Sequence, residues 1–329
     1  LLAWRPAIRA AVVPVAIAAL VVCLVLTRKQ VGYWRDSVTL WQHTIAVTGP
    51  NAYAHWSLGN AFRESGDHQA AMREYLKALE IEPGMPRAHH NLADVLFQAR
   101  QFAEAAAHYE AALAANPNLA ITHNGLGMVL LLQSEIDQLQ GKADEAARKR
   151  AAAIERFERA LEINPNLADA HANLGIALLG QGKIAAAEEH ARQAVEINPG
   201  SAKGHNTLAL CYLHGGRLEE AAFHLQEILR INPRNAEAHH QLGLVLGRQR
   251  KWPEAVAHHQ EAVRLAPHSV RYQGDLAAAL GAAGRFEEAA ETTRKALKLA
   301  AAANQAELTQ QLQAQLRLYE MKQVPETKH

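Results

Sequence analysis

Along most of this chain, apolar residues recur at three- and four-residue intervals, the spacing of one face of an α-helix. Leu174, Ala177 and Leu178 draw that stripe on one segment, and Gly182 breaks it. Ala187, Ala191, Ala194 and Val195 resume it until Pro199, which cannot continue a helix. The outlined unit repeats. A Leu-Gly or Leu-Ala dipeptide stands midway along each first helix, at Leu58-Gly59, Leu92-Ala93, Leu126-Gly127, Leu174-Gly175, Leu208-Ala209, Leu242-Gly243 and Leu276-Ala277. The steps between them are 34, 34, 48, 34, 34 and 34 residues. Nine residues before all but the first stands Pro83, Pro117, Pro165, Pro199, Pro233 or Pro267; the first has Gly49 followed by Pro50. One hairpin of this kind cannot bury its apolar stripe alone, so neighbours must stack. The pattern predicts an all-α fold of antiparallel helix pairs.

Two stretches depart from the period. The unit over 118–165 carries 14 extra residues, about four helical turns. Leu126, Leu130, Ile136, Leu139, Ile154 and Phe157 keep helical spacing through it. Both helices are therefore expected to be longer by about two turns, meeting near Gly141. The lengthened hairpin 127–160 reads either as a tolerated insertion or as a partner contact. After Ala301 the period stops. Leu308, Leu312, Leu316 and Tyr319 predict a terminal helix over 302–322 that covers the last apolar face, followed by a short tail, 323–329, with Pro325.

The N-terminal region follows another rule. Ala10 to Thr27 holds no charged residue, and 18 residues of helix span about 27 Å. Arg9 and Arg28-Lys29 bracket this run, and Trp4 and Tyr33-Trp34 stand at interfacial positions. The expectation is a transmembrane helix over 10–27 after a juxtamembrane remnant, 1–9. Leu1 stands where an initiator Met would, which reads as the C-terminal part of a longer protein. Residues 28–50 predict a half-repeat or N-terminal cap, because Ser37, Trp41 and Thr44 stand one period before Ala71, Tyr75 and Ala78. The end of the membrane helix would supply the missing first helix, leaving almost no linker.

Charge and chemistry narrow the function. Lys+Arg is 34 and Asp+Glu is 33, a balance that argues against the concentrated basic face nucleic acid requires. Cys23 and Cys211 build neither a disulfide framework nor a zinc motif. Of 18 histidines, His55, His89, His123, His171, His205 and His239 share one repeat position, three residues before the Leu. A metal ladder is opposed by geometry. Adjacent first helices pack about 8–10 Å apart, whereas zinc gathers several ligands within about 2 Å. Packing with a backbone or neighbour hydrogen bond is the expectation for these histidines. No paired carboxylate, nucleophile elbow or phosphate loop occurs. The chain therefore reads as a non-enzyme with no cofactor and no metal.

The unit resembles the tetratricopeptide repeat, on its 34-residue period and on runs such as LGNAFRESGDHQAAMREYLKALEIEP (58–83). The later repeats put Ala191, Leu225, His259 and Thr293 in the aromatic slot. The resemblance implies a right-handed superhelical solenoid of seven repeats over 51–301. It also implies that protein or extended-peptide ligands lie on the inner surface lined by the first helices. Matching positions are Tyr53, Trp56, Asn60, Arg63, Arg87, His90, Asn91, Asp94, Asn124, Asn173, Lys203, Asn206 and His240. The carboxylate clamp of chaperone-binding members is not expected, since Trp56, Ile121 and Gly125 stand where its cations belong.

The junction RKQVGYWRDSVTLWQHTIAVTGPNAYAHWSLGNA (28–61) resembles the membrane-to-repeat junction of the transmembrane and tetratricopeptide-repeat O-mannosyltransferases and their bacterial relatives. Trp34, Leu40, Trp41, Pro50, Asn51, Leu58 and Gly59 carry it. The ending LAAAANQAELTQQLQAQLRLY (299–319) is similar as well. This resemblance implies a bacterial inner-membrane protein with extracytoplasmic repeats and an upstream glycosyltransferase-like domain. The reading is a membrane-tethered scaffold that binds a protein or peptide, held to the bilayer by 10–27. The alternative is the substrate-recruiting C-terminal part of a polytopic membrane glycosyltransferase.

Overall fold

Several helix starts in the repeats are marked by a capping residue that precedes them. Asn51, Asp67, Asn235 and Ser269 accept hydrogen bonds from backbone N–H groups three residues on, at 3.0, 2.9, 3.0 and 3.3 Å. These caps satisfy donors that a first turn leaves open. The turn within a repeat needs a left-handed residue, and Gly66, Gly182, Gly216 and Gly284 supply it with φ between 71° and 84°.

The computed structural model describes residues 6–323. Trp4, Arg5 and the tail with Pro325 lie outside the described residues. Every element among the described residues is helical. A long α1 (Pro6–Tyr33) and a short α2 (Ser37–Thr48) come first. The pairs α3 (Ala52–Glu64) and α4 (His68–Ile81), then α5 (Pro86–Gln98) and α6 (Phe102–Ala115), follow. Next are α7 (Ala120–Leu139) and α8 (Ala143–Ile163), then α9 (Ala168–Leu179) and α10 (Ile184–Ile197). The remaining pairs are α11 (Ala202–His214) with α12 (Leu218–Ile231), α13 (Ala236–Arg248) with α14 (Trp252–Leu265), and α15 (Val270–Ala282) with α16 (Phe286–Ala302). The last helix is α17 (Ala306–Gln323). The chain divides into two compact units, Leu1–Lys149 and Arg150–His329.

In the first unit the core runs through successive hairpins: Tyr75, Leu92, Val95, Leu96, Tyr109, Leu126 and Val129 are buried in one cluster. Small residues allow this closeness. A Cβ on Gly59 would lie 2.5 Å from Tyr75 Cε1, so only glycine lets the tyrosine ring lie against α3. In the second unit Leu208, Tyr212, Leu225, Ile228, Leu242 and Val245 form one cluster, and Leu276, Leu280, Ala289 and Tyr319 another. Here α17 closes the array, burying its own Leu312 and Tyr319.

The lengthened hairpin is shared between its two helices: α7 has 20 residues and α8 has 21, against 13 and 14 in α3 and α4. Gly141, with φ 76°, makes the turn. Near that turn the packing is polar. Ser134 and Asp137 are buried, and Lys149 Nζ lies 2.6 Å from Asp137 Oδ2.

The first helix runs beyond the expected end at Thr27 and includes 28–33. Charged Arg28 and Lys29 do not interrupt it, because a charge does not break a helix. Pro14–Tyr33 is long and apolar enough to cross a membrane, with mean hydropathy 1.8 and none of it buried. Three residues, Trp34 to Asp36, separate α1 from α2. Asp36 caps α2 by accepting from Thr39 N at 2.7 Å. Tyr33 and His43 stack across the junction, centroids 3.6 Å apart and 3° from parallel.

Candidate ligand groove

In the first two repeats the residue after the Leu-Gly or Leu-Ala dipeptide is polar, Asn60 on α3 and Asp94 on α5; on α7 it is Met128. Tyrosines from the second helices reach up to both. Tyr75 O–H donates to Asn60 Oδ1 at 2.8 Å, and Tyr109 O–H donates to Asp94 Oδ1 at 2.5 Å. Burial, reinforced by the Asp94 carboxylate, pushes the Tyr109 phenol well above its ordinary range. Asn91 Nδ2 also donates to Asn60 Oδ1, at 2.6 Å, across the step between repeats. That oxygen therefore takes two donors, which fixes the Asn60 amide with its NH2 turned away from them.

His90 lies beside this pair. Thr122 Oγ1 donates to His90 Nδ1 at 3.0 Å, and His90 Nε2 points to Asp94 Oδ2 at 3.5 Å. Burial lowers the His90 pKa against the opposing pull of Asp94. An aromatic corner completes the group. Tyr53 and Trp56 lie 5.3 Å apart, Trp41 meets Tyr53 edge-on at 5.8 Å, and the Arg87 guanidinium sits 5.7 Å over Trp56. Trp56 Nε1 and Arg63 Nε are buried donors without a hydrogen-bond partner. Eight of the residues expected in the groove thus lie on α3 and α5, and Asn124 lies half-buried on α7.

The second unit is different. The position after the dipeptide is Ile176, Leu210, Leu244 and Ala278, apolar throughout as Met128 already is on α7. Lys203 is exposed and Asn206 half-buried, both on α11. Asn173 and His240 require correction as ligand contacts, because they are 3% and 0% exposed. Asn173 Oδ1 accepts from Lys203 Nζ at 3.4 Å. His240 faces α15 instead of open solvent. Its Nε2–H donates to Asp275 Oδ2 at 2.6 Å, and Arg271 donates to its Nδ1 at 3.2 Å. Glu237 joins the network by accepting from Tyr272 O–H at 2.8 Å and Arg271 at 3.3 Å. Burial and the Glu237 bond push the Tyr272 phenol up to about 12.

Arg271, Tyr272 and Asp275 were not foreseen. Asp275 lines both a cavity of about 430 Å³ with Leu244, Trp252 and His259, and one of about 340 Å³ with Leu308 and Leu312. His259 occupies the slot that Tyr75 and Tyr109 fill elsewhere, and its Nδ1 is buried without a partner.

Residues 86–119, 178–243 and 234–302 match family models described as tetratricopeptide repeat, and 59–99 with 149–182 match one described as TPR repeat. No curated protein matches the chain. Among solved structures, PilF of Pseudomonas aeruginosa aligns over 68% of this chain and 95% of its own, at 22% identity and TM-score 0.56. The APC/C hetero-tetramer Cut9–Hcn1 aligns over 74% of this chain and 46% of its own, at 17% identity and TM-score 0.64. TTC0263, a thermophilic TPR protein in Thermus thermophilus, aligns over 60% and 99%, at 20% identity and TM-score 0.50. At these identities the likeness is one of fold.

Proposed function

Because the chain belongs to the tetratricopeptide-repeat family, whose models together match more than half of it, we propose that it is a membrane-tethered scaffold that holds an extended peptide across α3 and α5. The family fold supports a protein-interaction role. The observation that carries the peptide reading is the amide pair Asn60–Asn91, whose shared bond at Asn60 Oδ1 does not engage the Asn60 NH2 or the Asn91 oxygen. An extended peptide repeats its own N–H and C=O at about 3.3–3.4 Å per residue. The Asn60 NH2 then donates to a peptide carbonyl and the Asn91 oxygen accepts a peptide N–H. Tyr75 holds the pair in place before the ligand arrives, which lowers the ordering cost of binding.

An array of random peptides, probed with the detergent-solubilised chain, tests this. Asn91→Ala with Arg63→Ala should weaken every captured peptide by about tenfold or more, some 1.4 kcal/mol, while thermal unfolding stays close to wild type. Equal capture by the variant would show that the groove lies elsewhere.

The tether reading rests on α1, an unburied apolar helix, and on Trp34, 67% exposed at its end where an interfacial ring belongs. Placement in a bacterial inner membrane, with extracytoplasmic repeats, follows from the resemblance of the junction. The expected result is that the chain stays with membranes through an alkaline carbonate wash. Recovery in the wash would remove the tether from the proposal.

A second reading is favoured by the three-residue junction between α1 and α2. It makes this chain the substrate-recruiting part of a polytopic glycosyltransferase. An upstream reading frame with many apolar spans and an acidic extracytoplasmic loop supports it, and a start codon within a few residues of Leu1 eliminates it.

A further inference from the structure

Four times, the histidine three residues before the repeat Leu meets a second histidine on the other helix of its hairpin. His89, His171, His205 and His239 face His108, His190, His224 and His258, with Nδ1 to Nδ1 distances of 2.9, 3.1, 2.8 and 3.0 Å. The other nitrogen of each first ring, Nε2, lies 2.9 to 3.1 Å from the carbonyl of Pro83, Pro165, Pro199 or Pro233. A carbonyl only accepts, so Nε2 carries a hydrogen. In a neutral ring Nδ1 is then a lone pair, and the second ring must present Nδ1–H to it. Each rung holds one hydrogen between its rings.

The line of approach decides what the gap can hold. Ring centroids are 5.1, 5.3, 5.1 and 5.2 Å apart, about 2.2 Å more than the nitrogens, which is one ring radius on each side. The rings therefore meet head-on. Two histidines bound side by side to one metal at about 2.0–2.1 Å would aim their lone pairs at a common point off that line. No third His, Cys, Asp or Glu joins a rung among the described residues. The gap fits a proton.

Each rung has titratable neighbours. Glu104 stands by His108, and Glu189 and Gln193 by His190. Glu196 shares a small cavity with His171. Glu227 stands by His224, against which Tyr212 stacks at 5.4 Å. Glu261, itself bonded to Arg264, stands by His258, with His259 adjacent in sequence. A first added proton goes to Nε2 of the second ring and leaves the rung intact. A second must go to Nδ1 of the first ring, where it meets the N–H already there.

We propose that these four rungs form an acid-release ladder, in which each rung ties a hairpin to the preceding proline turn and opens once both of its rings are protonated. Burial and the facing ring push the second histidines down, and because the two rings of a rung are coupled, the proton held back belongs to the pair: each folded rung resists its second proton, whichever ring took the first. The unfolded chain binds both protons near the ordinary value of 6.5. The folded state thus binds fewer protons, so the stability from each rung is present above the histidine range and is lost as pH falls below it.

The first repeat offers a built-in control. There His55 faces Glu74 at the same spacing, Nδ1 to Oε2 at 2.6 Å, a pair that protonation of the histidine tightens. The test copies it four times, in the full chain in detergent, as His108→Glu, His190→Glu, His224→Glu and His258→Glu together. Urea unfolding followed from about pH 6.5 to 5.5, above the range where the introduced glutamates titrate, should show wild type taking up as many as four protons on unfolding, one for each of the four rungs. The variant should show close to none from these sites. An unchanged slope overturns the ladder. Should the fourfold variant not fold, His224→Glu alone is expected to remove one proton. In either case imidazole nitrogen NMR of wild type at neutral pH should find Nε2–H on His205 and Nδ1–H on His224. Nε2–H on both rings would overturn the assignment.

Discussion

Replacing Tyr75 by alanine should cost the first unit about 3–5 kcal/mol, the range for emptying a large aromatic site in a core. The ring is fully buried among Leu92, Leu96 and Tyr109. It cannot be compensated by collapse, because Gly59 already brings α3 to the ring face. The loss also strips Asn60 Oδ1 of one of its two donors. Tyr75→Phe separates the two effects. It keeps the packing and removes only the hydroxyl, so about 1 kcal/mol is expected. Urea denaturation of both variants measures this, and a Tyr75→Ala cost below about 1 kcal/mol would mean that the hairpin stack collapses onto the emptied site.

The second large effect concerns the closing helix α17. Tyr319 is 6% exposed and lies over Gly281 on α15, where a Cβ would stand 2.5 Å from its ring. Tyr319→Ala should destabilise the second unit by about 3 kcal/mol. Gly281→Ala alone should also destabilise, by about 1–3 kcal/mol, because the methyl group drives into the ring. Together the two should cost less than their sum. The methyl fills part of the emptied space, and alanine in a helix is worth about 1 kcal/mol over glycine. A double-mutant cycle reads this coupling directly. Additive costs would place the ring away from the glycine.

The all-helical repeat was plain in the sequence because its signal is carried by small residues and prolines, whose positions geometry dictates. Gly175 is an example: a Cβ there would meet the Ala187 carbonyl at 3.1 Å. The surroundings of individual groove positions were less legible. His240 and His90 sit at the same place in their repeats, two before the Leu, yet His240 is fully buried. Its covering partners, Arg271, Tyr272 and Asp275, come from the next repeat. A single-helix pattern does not reveal which side chain arrives from a neighbour 31 to 35 residues away. The rung partners His108, His190, His224 and His258 were missed for a related reason. Two antiparallel helices bring residues 19 apart together, and only the recurrence of that spacing would have disclosed it. The helix that holds the expected span 10–27 continues past Arg28 and Lys29 to Tyr33, since charged residues do not end a helix.

The bond from each ladder histidine to a proline six residues earlier changes how this array can be cut and rejoined. His123 and Gln273 make it too, to Pro117 and Pro267. A chimaera spliced at the first residue of a first helix would leave that proline with the donor repeat and its histidine with the recipient. The transplantable module therefore begins ahead of the proline, in the last turn of the preceding helix, and repeats exchanged on that boundary carry their own fastening with them.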